Sequence, residues 1–199
     1  MTNGSKIQLT PQELSLVGDR SFFEAKQRIS LKIYELLGAL KTACEKLPEH
    51  QHFHFPEDTD YQPGKISRGE NLKGLPYIVL DFPRRFEGND VFAFRTIFWW
   101  GNYVGFHFVL ANKMLETYGW EWLKRLSSSW LFCLHDTPWE HDIDDRSVAV
   151  SGLDSVELKS HFSKKGFLKI SQKMELSEMA NLPQHGAKLY QDILKTLQS

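Results

Sequence analysis

Three groups of side chains in this sequence are of types that could do chemistry. The first lies in HQHFHF, where His50, His52 and His54 recur at every second position. On an extended strand that spacing turns three imidazoles to one side, and such a set can ligate zinc or another borderline metal. Glu57, Asp58 and Asp60 follow closely, yet a polar loop beside a proline also holds solvated histidines, and that plainer reading is the stronger one. The second group lies in CLHDTPWEHDIDD. His135, Asp136, His141 and Asp142 are its candidate metal ligands, with Glu140, Asp144 and Asp145 beside them just past an apolar strand. Their spacing matches no HExxH motif and no calcium loop. The third group lies in FAFRTIFWWGNYVGFHFVL, where Arg95, His107, Trp100 and Tyr103 form the candidate ligand-binding set. A guanidinium alone on an apolar face costs several kcal/mol unless it finds a carboxylate, an anionic ligand or a route to solvent. Asp81, in the neighbouring run LDFPRRF, is the carboxylate candidate.

Other chemistries find little support. There is no GxSxG, GxxxxGK[ST] or GxGxxG, and Cys133 sits inside the apolar run WLFCL, as an inert buried thiol would. The formal charge of −1 and the sparse basic text argue against nucleic acid and anionic membrane as partners. Two distant cysteines suggest neither a disulfide framework nor a cysteine-based zinc site. The opening MTNGSKIQLTPQEL has no apolar signal core, and no run approaches the roughly 18 apolar residues of a membrane span, so a cytoplasmic location is expected.

These groups need elements to position them. Thr10-Pro11-Gln12-Glu13 opens one helix, and Ser21-Phe22-Phe23-Glu24 reads as a capping box for a second that runs to about Leu47, before Pro48. Phe22, Ala25, Ile29, Ile33, Leu36 and Leu40 advance in threes and fours along it, an apolar stripe to be laid on a core. After a polar connection with possible short strands near 52–55 and 65–68 come LPYIVLDF and a hairpin over 91–111. A helix is expected from about Asn112 to Ser127, a strand at 130–134, a short helix capped by Asp154, and a final helix from Asn181. FLKISQKMEL alternates, which predicts a half-exposed antiparallel strand with Lys169, Ser171, Lys173 and Glu175 in solvent.

Taking Gly101-Asn102 as a two-residue turn sets the hairpin register at a sum of 203. Thr96 then faces His107 and Phe98 faces Gly105, so that Arg95 and His107 point to opposite faces of the sheet. Both faces are apolar enough to require cover.

The text GLPYIVLDFPRRF…FAFRTIFWWGNYVGFHFVL, over about residues 74–111, resembles the central segment of a group of small uncharacterised bacterial proteins. That resemblance implies one compact domain and no assigned chemistry. The reading is therefore a single α+β domain over 1–199, with a tail at 1–9. Its central antiparallel sheet would be packed by N-terminal, middle and C-terminal helices. In function it reads first as a non-catalytic protein binding a small molecule or a protein partner at a cleft beside the aromatic sheet, with no cofactor. The alternatives are a metal-dependent hydrolase-like enzyme using the cluster at 135–145, and a purely structural protein or homo-oligomer.

Overall fold

The computed structural model describes residues 7–127 and 129–198, so the first six residues of the expected tail lie outside it. Helix α1 (Pro11–Gly18) carries the anticipated Thr10 capping box. Only Asp19 separates it from α2 (Arg20–Glu45), and it is Asp19, not Ser21, that caps α2 by accepting from the Phe22 amide. Helix α3 (Pro48–His52) follows at once. Then come strands β1 (Lys65–Leu72), β2 (Leu75–Glu87), β3 (Asp90–Trp99) and β4 (Tyr103–Ala111). The helix expected over 112–127 is broken. Gly119, at φ 62°, ends α4 (Lys113–Tyr118), and a 3-10 turn over Glu121–Arg125 replaces the remainder. The chain closes with β5 (Leu131–Cys133), β6 (Ser147–Ala149), α5 (Ser155–Lys165), β7 (Phe167–Glu175) and α6 (Leu182–Gln198).

The strands form one antiparallel sheet in the order β1-β2-β3-β4-β7-β5-β6. The single α+β domain with a central antiparallel sheet is thus as expected. On one face, Phe92, Phe94 and Phe98 of β3 and Val104, Phe106, Phe108 and Leu110 of β4 join a core completed by Ile33, Leu37 and Leu40 of α2, Met114 and Leu115 of α4, and Tyr190, Ile193 and Leu194 of α6. Gly186 lets α6 approach closely, since a Cβ there would lie 2.8 Å from both Leu40 and Phe106. No helix among the described residues is long and apolar enough to cross a membrane.

The hairpin register corrects the sequence reading. Phe98 pairs with Val104, Ile97 with Gly105, and Arg95 with His107, a sum of 202. The loop is three residues long, Trp100 to Asn102, with Gly101 at φ 72° and the Trp100 amide bonded to the Pro76 carbonyl at 3.2 Å. One residue of slip reverses which side chains share a face, so Arg95 and His107 stand side by side. A second correction concerns β7. Lys169 and Ser171 are wholly buried, because the segment 134–146 lies over the face that alternation assigned to solvent. A third concerns the histidine triplet. His50 and His52 sit in the single helical turn of α3, so the three rings share no strand face. His50 is buried and bonded through Nδ1 to the Tyr190 hydroxyl at 2.8 Å, His52 contacts the Pro48 carbonyl, and His54 is exposed.

Candidate functional site

The register lines up four polar residues in one row across four adjacent strands. Asp81 of β2 pairs with Arg95 of β3, Arg95 with His107 of β4, and His107 with Ser171 of β7. The expected carboxylate partner is the observed one. Arg95 donates to Asp81 through Nε at 2.6 Å and Nη2 at 3.0 Å, a two-pronged pair that is almost entirely buried. Its third prong, Nη1, donates to His141 Nε2 at 3.0 Å. Because arginine only donates, that imidazole nitrogen is the acceptor and the His141 proton lies on Nδ1, which is buried without a partner. Phe86 and Trp139 flank the guanidinium with centroids at 5.6 and 5.1 Å, screening it from water.

The row continues as a hydrogen-bonded chain. His107 Nδ1 lies 2.7 Å from Ser171 Oγ, which lies 3.1 Å from Cys133 Sγ. Whichever way the protons run, His107 Nε2 is left without a partner. It rests over Gly105, where a Cβ would lie 2.7 Å away, so the absent side chain makes room for the ring. Beside it the Lys169 ammonium donates to the Glu140 carbonyl, and no carboxylate among the described residues is bonded to it.

Burial dominates the proton affinities here. It pushes His107 well below the usual histidine range, helped by the positive charge of Lys169. His141 is lowered to about 2, again chiefly by burial and then by Lys169 and Arg95. Burial also lowers Lys169 to about 8. Both imidazoles are therefore neutral around pH 7.

The roof over this row is the segment 134–146. The Ile143 amide donates to the Tyr103 hydroxyl at 2.7 Å, and Asp142 is held by Lys73. Within the roof, His135 Nε2 lies 3.0 Å from Asp144 Oδ1. Ligand atoms of His135, Asp142 and Asp144 lie within 4.8 Å of one another, so this set could hold a cation. Arg146 already supplies positive charge there, at 3.0 Å from Asp144 and 3.1 Å from Glu140. Hydrogen bonds from His135 and Arg146 hold the Asp144 carboxyl far below its ordinary range.

The two candidate sets thus meet on one face, each losing a member. Arg95, His107 and Tyr103 gather with His135, His141 and Asp142. Trp100 points to the helical face, and Asp136 pairs outward with Lys165. Sequence reasoning missed Lys169 and Ser171, and it set Asp144 beside the candidate ligands rather than among them. Lys169 and Ser171 carried a visible signal, polar residues alternating on a strand, but the covering segment has no periodicity that would announce it. The arrangement is closed. His107, Cys133, Lys169 and Ser171 are buried, and none of them lines the five clefts described at the surface.

An open site exists on the other face. A cleft of about 360 Å³ separates the first half of α2 from β1 and β2, lined by Phe23, Leu31, Tyr34, Arg68, Ile78 and Trp100. The Lys26–Glu70 ion pair bridges its edge at 3.4 Å. The apolar stripe of α2 runs the length of the helix, but only Ile33, Leu37, Leu40 and Cys44 are buried. Phe22 and Ile29, on the same stripe, are exposed, as are Phe23 and Leu31 beside them, and α1 buries nothing at all. In comparisons with known protein families, curated proteins and solved structures, nothing matches this chain.

Proposed function

We propose that this is a non-enzymatic binding protein that docks another polypeptide on the arm formed by α1 and the first half of α2, and in the cleft beneath that arm. One observation carries the reading. Among the described residues, nine of the fifteen exposed large apolar side chains fall between Ile7 and Leu31. Scattered exposed apolar residues need no explanation, but a contiguous set rimmed by polar groups marks a surface that is covered in use. Trp100 and Tyr34 add aromatic rings to the cleft, the side chains that anchor interfaces most strongly. The buried row on the opposite face then serves as a polar core that fixes the register of four strands.

The test compares wild type with Phe23→Ser/Leu31→Ser as bait in an extract of the native cells. A polypeptide retained by wild type and lost from the variant supports the reading, and identical retention contradicts it.

A second reading has its own observation, the convergence of His135, Asp142 and Asp144 within 4.8 Å. A divalent cation held there would make a hydrolase-like site on the roof. One equivalent of zinc retained by untagged protein after dialysis, and lost in His135→Ala, would favour it. Absence of retention would leave Arg146 and Lys73 as the counter-charges of the cluster.

A further inference from the structure

We infer that the polypeptide docked on the arm is a second copy of this chain, packed about a two-fold axis so that each arm covers the other's cleft. The inference rests on the docking reading above and names its partner.

Area is the first argument. The nine exposed apolar side chains run from Ile7 through Leu14 and Val17 on α1 to Phe22, Phe23 and Leu31 on α2, with exposures from 42% to 86%. Together they present apolar surface on the order of several hundred Å², at or above the roughly 300–600 Å² of the largest patch on a typical monomer. A standard stable interface buries about 800 Å² per partner, an area that the arm together with the cleft beneath it is of a size to supply.

Charge is the second. Residues 7–31 hold three acidic groups, Glu13, Asp19 and Glu24, and three basic groups, Arg20, Lys26 and Arg28. Glu13 and Asp19 cap their helices, Arg20 pairs with Glu24 at 2.7 Å, and Lys26 pairs with Glu70. The arm is neutral and its charges are largely spent locally. A surface of that kind has little with which to select a charged partner, and nothing that repels its own copy. An isologous contact needs only one self-complementary patch. This arm provides one, because it joins projecting side chains (Leu14, Val17, Phe22) to a recess whose apolar wall is Leu31, Tyr34, Ile78 and Trp100 and whose polar edge holds Lys26, Arg68 and Glu70.

Sedimentation velocity over a dilution series tests the inference directly. Wild type, with a chain mass of 23.1 kDa, should sediment as a dimer and dissociate on dilution. Its melting temperature should rise with concentration. Leu31→Glu and Phe23→Glu place a charge in the covered recess and should weaken the dimer about 100-fold or more. Both positions are exposed in the single chain, so circular dichroism should be unchanged, and Leu31→Met should keep the dimer. Wild type that is monomeric at its highest soluble concentration overturns the inference, as does a dimer that both glutamate variants leave intact. A monomer that nevertheless retains a different polypeptide through Leu31 overturns the second copy alone and leaves the docking reading standing. A monomer whose arm retains nothing removes both.

Discussion

Arg95 and His107 are cross-strand neighbours on the same face of the sheet, and His141 of the covering segment touches both. That relationship joins a two-pronged ion pair, two neutral imidazoles tilted against each other and a buried lysine into one polar core. Its energetics can be measured one residue at a time.

Removing one partner of the buried pair strands the other. Arg95→Met leaves the Asp81 carboxylate, 4% exposed, without its guanidinium. The expected loss is roughly 3–5 kcal/mol, read as a lower denaturant midpoint in equilibrium unfolding. Adding Asp81→Asn to Arg95→Met should recover part of that loss, because the stranded charge is gone. Unchanged stability of Arg95→Met would mean that the pair contributes nothing.

Acid should destabilise the fold through His107. The folded protein holds this ring neutral, well below the usual range, while the unfolded chain takes up its proton near pH 6.5. Below about pH 6.5 the unfolded state therefore binds more protons, and stability falls as pH falls. His107→Gln should flatten the slope of unfolding free energy against pH between about pH 6.5 and 5. An unchanged slope would show that the ring is protonated in place.

Lys169 produces a dependence at the other end. Its native value of about 8 lies below the ordinary 10.5, so between those values the unfolded state carries the extra proton and stability rises with pH. Over the full window the contribution is roughly 3 kcal/mol. Tyr103, Tyr118 and Tyr190, all raised by burial, oppose it above about pH 10. The comparison with Lys169→Met, which should lack the rise between pH 8 and 10, isolates the lysine.

Much of this molecule could be read from sequence because local chemistry dictated it. Thr10 with Glu13, and Asp154, announced helix starts that the structure keeps, and Asp81, in the apolar run preceding the hairpin, is the partner that Arg95 finds across β2 and β3. The hairpin existed as expected, but its register hung on whether Trp100 belonged to the strand or the turn. A tertiary bond from the Trp100 amide to Pro76 decides that, and no local pattern encodes it. The same limit hid the burial of Lys169 and Ser171. Alternation tells which residues share a face, not whether an irregular segment far along the chain will cover it. The apolar stripe of α2 was legible from Phe22 to Leu40, while the fact that only its second half meets the core depends on where the sheet ends.

The central claim is that the α1–α2 arm is covered by another polypeptide in use, and site-specific photo-cross-linking in living cells tests it most directly. A benzophenone side chain is placed at Leu31, in the cleft, or at Val156, which is exposed on α5 away from the arm. The account predicts discrete cross-linked adducts from position 31 and none from position 156. Equal labelling at both positions, or none at either, would contradict it.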